Sequence, residues 1–359
     1  MRTALPTFAL LGATIAAGAC RGGGEKTVLL NGAGATFPNI IYQKWITEYN
    51  ASHPGVELNY QSIGSGGGIA QFTGGTVDFG ASDAPMNDGE IAAVEGNVVH
   101  IPTVLGGVVP TYNLPGVTET IRFSPEVLAD IFRGAITRWD DIRLESGNPG
   151  VALPAQPIVV IHRSDGSGTT YIFTGFLSDV SPEWQSTVGQ GKSVNWPVGI
   201  GSKGNEGVSA TVQQTPGAIG YVELGYAMIN KMPVGAVRNR DGNFVTPDIS
   251  TVSAAAAGKM AELTPSTDFR VSVLNAPGER TYPIASFTWL LLRKDYGADG
   301  AKARALIDFV WWALTEGQQA APELGYAPLP EEIKPWIRAK LETITADGKP
   351  VWSGPSTGT

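Results

Sequence analysis

Cysteine is almost absent from this chain: Cys20 is the only one in 359 residues. That excludes an intramolecular disulfide and a zinc site of the usual cysteine type. Histidine is nearly as scarce. His53, His100 and His162 are far apart and form no short ligand pair, so no metal is expected. Charge is sparse as well, at 16% of residues, and it is not basic: 25 Lys and Arg against 33 Asp and Glu leave a net of −8. A chain with no basic excess is not built to grip duplex DNA or RNA, so no nucleic-acid partner is expected. A small anion stays within reach, because local donors matter there more than net charge. Long apolar runs are also missing. Phe287 to Leu292 and Phe309 to Leu314 read as strand or core-helix material, well short of the ~20 residues a membrane-spanning helix needs.

What the chain has is glycine. Its 46 glycines are close to twice the usual ~7%, which predicts many tight turns or backbone brought close to a ligand. The length corresponds to about two domains of roughly 150 residues, enough for two cores with a cleft between them.

The N-terminus carries one positive charge, Arg2, then a short apolar stretch from Phe8 to Ala19. This pattern predicts a secretory signal peptide over residues 1–19. Cys20 follows Ala17-Gly18-Ala19 and resembles the acylated cysteine of a bacterial lipoprotein, although that pattern prefers Leu where Ala17 stands. Residues 20–26 then read as a lipidated cysteine and a glycine-rich tether.

Further on, Val28 to Leu30 reads as a buried strand entering the loop Gly32 to Ala35. Thr36 looks like a helix N-cap with Pro38 in the first turn. Ile41, Trp45 and Tyr49 form the apolar stripe of that helix. Val56 to Tyr60 is a second strand, followed by the loop Gly64 to Gly68 and a short helix from Ile69 to Phe72. Val77 to Phe79 is a third strand, delivering the loop Ala81 to Pro85. Ile158 to Ile161 leads into Arg163-Ser164-Asp165-Gly166-Ser167-Gly168-Thr169, with a helix from Tyr171. A long helix is expected from about Ala301 to Thr315, and a loose tail from Trp352 to Thr359. Strands alternate with helices, which predicts an α/β fold with a largely parallel sheet.

Two patterns imitate nucleotide sites, and a catalytic serine motif is missing. Gly199-Ile200-Gly201-Ser202-Lys203-Gly204 fits G-x-G-x-x-G, but no early βαβ unit surrounds it, and it reads as a turn before a helix near Val208 to Gln214. Gly191-Lys192-Ser193 copies the end of a P-loop, but Ser186 stands where its first glycine belongs. No G-x-S-x-G elbow surrounds Ser65, Ser82 or Ser167. No catalytic residue is assigned.

Three segments share one design: Gly32 to Phe37, Gly64 to Ile69, and Arg163 to Tyr171 each join a strand through a glycine-rich loop to a helix N-terminus. Such a terminus presents free N–H groups and partial positive charge to an anion. Thr36, Ser65, Ser167 and Thr169 add hydroxyl donors. Arg163 adds a planar, bidentate donor for a tetrahedral oxyanion, and Asp165 stands where it can orient that guanidinium. One such loop would be an ordinary connection; three in one chain, one opening with arginine, point to an anion site.

Gly32 to Pro38, Asp78 to Pro85, Trp139-Asp140-Asp141, Ser164 to Thr169 and Pro216 to Val222 together resemble the motifs of the phosphate-binding proteins of bacterial phosphate ABC importers, the PstS family. The similarity spans nearly the whole chain after Cys20. Carried over by position, it implies phosphate contacts from Thr36, Phe37, Ser65, Asp83, Arg163, Ser167, Gly168 and Thr169, with Asp165 in support. Gly66 departs from the family's pattern, in which a second serine is frequent. The resemblance also implies a two-lobed periplasmic-binding fold of type II, with the ligand in the interlobe cleft. Lobe 1 would comprise 27–102 and 284–345, lobe 2 would comprise 103–283, and 346–359 would be a C-terminal tail. Two crossover strands would form the hinge. The implied function is capture of inorganic phosphate outside the cytoplasmic membrane. Delivery would be to an ABC permease with its ATPase, by a monomer with no cofactor, anchored only through Cys20. The alternatives are a binder of another oxyanion such as sulfate or arsenate, and a phosphatase. The last would need a nucleophile beside a base or a metal pair, and the sequence offers neither.

Overall fold

The computed structural model describes residues 27–264 and 267–354. The expected signal peptide, Cys20 and the tether lie outside the described residues. Strands β1 (Val28–Gly34), β2 (Val56–Ser62), β3 (Phe79–Ser82), β4 (Val99–Tyr112), β6 (Val159–Arg163), β7 (Ile200–Ser202), β8 (Ala218–Glu223) and β11 (Ala285–Leu292) form one eight-stranded sheet. Its order is β2-β1-β3-β11-β4-β8-β6-β7. A second, three-stranded sheet holds β5 (Arg122–Phe123), β9 (Ala236–Arg238) and β10 (Phe244–Val245).

The expected α/β class holds, but the sheet is not largely parallel. Pairing is parallel on the flanks, β2-β1-β3 on one side and β8-β6-β7 on the other. It is antiparallel in the middle, where β11 enters between β3 and β4, and β4 pairs with β8. The flanks are the strand–helix units that local sequence reveals. The middle is made by chain segments far apart in sequence, which no local pattern announces.

β4 is the strand shared by both halves. All fourteen of its residues are buried. Residues Val99 to Gly107 pair with β11, and Val108 to Tyr112 pair with β8. A strand covered on both faces has no polar side to show, and this one carries apolar residues on both, interrupted only by the buried His100, Thr103 and Thr111. The molecule is two-lobed, and β4 runs antiparallel beside β11. Their register shifts between Thr288 and Trp289.

Several element ends move from their expected places. The helix after Gly64 starts at Ser65 and runs to Thr73; the helix after Ser167 spans Gly168–Val180; the helix after Lys203 spans Gly204–Gln214. β3 begins at Phe79, two residues later than its apolar run suggests. Thr36 is not a side-chain cap. The first helix starts at Asn39 after Pro38, with no capping side chain, because the Thr36 hydroxyl is engaged elsewhere. Trp352 does not belong to a loose tail: it is buried, and its Nε1 donates to Asp308 on the helix Gly300–Leu314 at 2.8 Å.

Candidate functional site

The three expected loops meet at one place, together with a fourth. Gly64 has φ +89°, and a Cβ there would fall 2.4 Å from Asp165 Oδ2. Glycine is therefore required both by backbone conformation and by the close approach of the opposite loop. Two residues on, Gly66 N–H donates to Gly166 O at 2.8 Å. The departure from serine at position 66 thus sits where the two loops touch through backbone.

Ser65 is fully buried at the start of the helix Ser65–Thr73. Its hydroxyl accepts from Asp83 N–H and from Gly168 N–H, both at 3.1 Å, and donates to Asp83 Oδ2 at 3.3 Å. One donor and two acceptor positions are what a hydroxyl has, so Ser65 is used in full.

Asp83 is 2% exposed at the end of β3. Thr288 Oγ1 donates to its Oδ1 at 2.7 Å. The β11 irregularity lies at this threonine, and bulges commonly re-aim side chains beside functional sites. Burial pushes the Asp83 carboxyl up to about 7, against the opposing pull of Thr288, the Arg163 charge and Ser65.

Arg163, at the end of β6, is 3% exposed. Its Nε and Nη2 donate to the two oxygens of Asp165 at 2.8 and 2.5 Å, and Nη1 reaches Thr169 Oγ1 at 3.4 Å. Asp165 therefore does orient the guanidinium. Burial alone would raise the Asp165 carboxyl, but the Arg163 contacts and the Gly204 N–H hold it below the usual range. Ser167 caps the helix Gly168–Val180 by accepting from Thr170 N–H at 3.0 Å, which keeps its own O–H as a donor. Thr169 and Ser167 are fully buried. Thr36 is buried, and the Phe37 carbonyl accepts from Tyr326 at 2.7 Å.

Asn205 and Thr288 are the residues that the sequence reading passes over. Asn205 Nδ2 donates to Thr36 Oγ1 at 2.7 Å and to Thr169 Oγ1 at 3.2 Å, while its Oδ1 accepts from Glu223 N–H at 3.0 Å. It belongs to a fourth glycine loop and helix N-terminus, the stretch set aside above as a turn before a helix. Its signal was the residue next to Gly204, not the glycine spacing. The arrangement gathers hydroxyls, helix-start N–H groups, the Arg163 guanidinium and the Asp83 carboxyl of raised pKa in a buried cleft. Donors dominate, which suits an oxyanion, and the carboxyl suits an oxyanion that still carries a proton. Among the described residues no group of acidic, histidine or cysteine side chains has the makings of a metal site.

A family model described as the PBP superfamily domain matches residues 21–314. The phosphate-binding protein PstS of Xylella fastidiosa (strain 9a5c) is 45% identical over 315 residues, covering 88% of this chain and 85% of the relative. That of Pasteurella multocida (strain Pm70) is 45% identical over 326 residues, covering 90% and 93%. The crystal structure of a phosphate-binding protein from Stenotrophomonas maltophilia superposes with a TM-score of 0.66 at 18% identity, over 87% of this chain and 93% of the other. At that identity it speaks for the fold.

Proposed function

The chain belongs to the PBP superfamily and, within it, to the PstS phosphate-binding proteins, and on that premise we propose that it captures inorganic phosphate and passes it to an ABC permease with its ATPase. The observation that carries this reading is the convergence around Ser65. Thr36, Phe37, Ser65 and Asp83 come from one lobe, taken as 27–102 and 284–345. Arg163, Ser167, Gly168 and Thr169 come from the other, taken as 103–283. Phosphate held by both sides stabilises the closed form by its extra contacts there.

Hydrogen bonds to a charged group contribute about 1.5–3 kcal/mol each. A few of them, less the cost of association, reach the roughly −8 kcal/mol of a micromolar complex. Asp83 accepts a hydrogen bond from the ligand's O–H, so phosphate and the equally protonated arsenate fit, and sulfate, which has no O–H to donate, does not. The relatives are named for binding, not turnover, and this chain is a carrier and not an enzyme. The place of action is the outer side of the cytoplasmic membrane, with a monomer tethered through acylated Cys20. Among the described residues no helix is long and apolar enough to cross a membrane.

Calorimetry with phosphate, arsenate and sulfate tests the reading. Micromolar or tighter binding of phosphate, with sulfate far weaker, is expected; no heat with phosphate would overturn it. For the anchor, Cys20→Ser should move the protein from the membrane to the soluble fraction, and a wild type already soluble with its N-terminus beyond Cys20 would dismiss acylation.

A further inference from the structure

We propose that Glu90 and Lys192 form an electrostatic latch across the mouth of the cleft, which sets how fast the captured anion leaves; this rests on the reading of the cleft as a phosphate site. Lys192 Nζ lies 2.5 Å from Glu90 Oε1, between residues 102 apart in sequence and on opposite lobes. The two side chains are 21% and 25% exposed, so the pair is partly shielded from water and salt.

The Glu90 carboxylate and the Lys192 backbone are both anchored by other hydrogen bonds. Glu90 Oε2 accepts from Asn87 N–H at 2.9 Å, and Asn87 Oδ1 accepts from Glu90 N–H at 2.9 Å, a reciprocal capping box. The carboxylate is thereby aimed with little rotamer freedom left to lose. Asn87 follows Asp83 by four residues, on the same loop. On the other lobe, the Lys192 carbonyl accepts from Ser167 N–H at 2.8 Å, at the cap of the helix that presents Gly168 and Thr169.

The contacts close a ring. It runs from Asp83 through Ser65 to Gly168 and Ser167, on through Lys192 to Glu90, and back along the loop to Asp83. A second ion pair reaches the same short helix from a distant segment, Arg270 to Asp88 at 3.1 Å, but it is less suited to the task, because the Asp88 side chain is 95% exposed and so well screened. Glu90 and Lys192 do not belong to the anion cradle; they are positioning residues. A contact made only across the closed cleft must break for the cleft to open. It therefore acts on release far more than on capture.

The test follows radiolabelled phosphate leaving the full-length protein during a chase with unlabelled phosphate, at low and high salt. Glu90→Gln and Lys192→Met should each speed release about three- to tenfold. The double variant should be no faster than the faster single variant, because one broken pair cannot be broken twice. Salt should speed release from wild type by a larger factor than from either variant. Lys44→Met controls for lost positive charge, since Lys44 pairs with Glu48 on its own helix. Unchanged release rates, or single effects that multiply in the double variant, would overturn the latch. If wild type retains no labelled phosphate, the reading of the cleft fails and the latch with it; if wild type binds and only the variants behave like it, the latch alone fails.

Discussion

Ser65 and Gly168, 103 residues apart in sequence, touch directly: the Gly168 N–H donates to Ser65 Oγ at 3.1 Å. The same oxygen is bound to Asp83, so a loop of each lobe and the acidic group converge on one hydroxyl.

A side chain at position 168 should therefore obstruct closure. A Cβ there would lie 2.4 Å from Ser65 Oγ and 2.5 Å from Asp83 Oδ2, and both atoms are pinned by hydrogen bonds. Gly168→Ala should weaken phosphate binding by about 1–3 kcal/mol, the usual cost of overpacking. Calorimetry reads the loss. The melting temperature without phosphate should hold or rise, since Ala favours the helix start over Gly. Wild-type affinity in this variant would show that the two lobes need not come this close.

Arg163→Ala should cost a few kcal/mol of phosphate affinity, on the scale of charge-assisted hydrogen bonds lost. Arg163→Lys should recover only part, because an ammonium cannot keep both Asp165 oxygens and still present a planar fork to the ligand. Titration with phosphate distinguishes the three proteins, and equal affinity in Arg163→Ala would remove the guanidinium from the site.

Asp83→Asn should narrow the preference for phosphate over sulfate. The amide donates where the carboxylate only accepts, so a deprotonated sulfate oxygen gains a donor in place of a buried carboxylate it cannot pair with, a change of about 1–3 kcal/mol. Competition titrations give the affinity ratio directly. A ratio equal to that of wild type would show that discrimination lies elsewhere.

Asp83 should also leave a mark on stability. Its carboxyl is raised by burial from its usual range to about 7. The folded protein thus holds this proton more tightly than the unfolded chain does. The resulting stabilisation is complete below the unfolded value near 4 and is lost as pH rises through about 7. Asn mimics the protonated form at every pH. Denaturant unfolding of the phosphate-free proteins should show Asp83→Asn gaining on wild type between pH 5 and pH 8. A constant difference across that range would contradict a raised carboxyl.

Asn205→Ala should weaken both binding and folding. The change removes the bridge between Thr36 and Thr169 and leaves the Glu223 N–H unsatisfied, a cost of about 1–3 kcal/mol. Denaturant unfolding and phosphate calorimetry should both register it. An effect on stability alone would make Asn205 a scaffold for Glu223 and not an organiser of the two hydroxyls.

The loops around Thr36, Ser65 and Arg163 were legible because each is a local pattern, a strand, then glycines and hydroxyls, then a helix start, whereas Asp83, on a loop without that pattern, was reached only through the family resemblance. Asn205 was not legible, since its loop looks like any glycine turn, and its importance depends on which loops stand opposite. Thr288 was hidden more deeply, inside an apolar strand, where only the register shift beside it turns its hydroxyl toward Asp83. Thr36 shows the reverse failure. The local rule assigned it to cap its own helix, but the amide of Asn205, 169 residues away, holds its hydroxyl instead. The antiparallel middle of the sheet was invisible for the same reason: pairing of β11 with β3 and β4 joins segments far apart in the chain.

The position of β11 also dictates the order in which this protein can come into being. β3 and β4 are complete by residue 112, yet the strand that lies between them ends at Leu292. A growing chain must therefore be four-fifths synthesised before those two edges are covered. Until then each presents unpaired backbone groups that invite wrong partners. A fragment ending before Ala285 is an unfinished sheet and not a smaller binding protein. For a chain that acts outside the cytoplasmic membrane, as proposed above, this late insertion leaves the facing edges of β3 and β4 unpaired until four-fifths of it has been made.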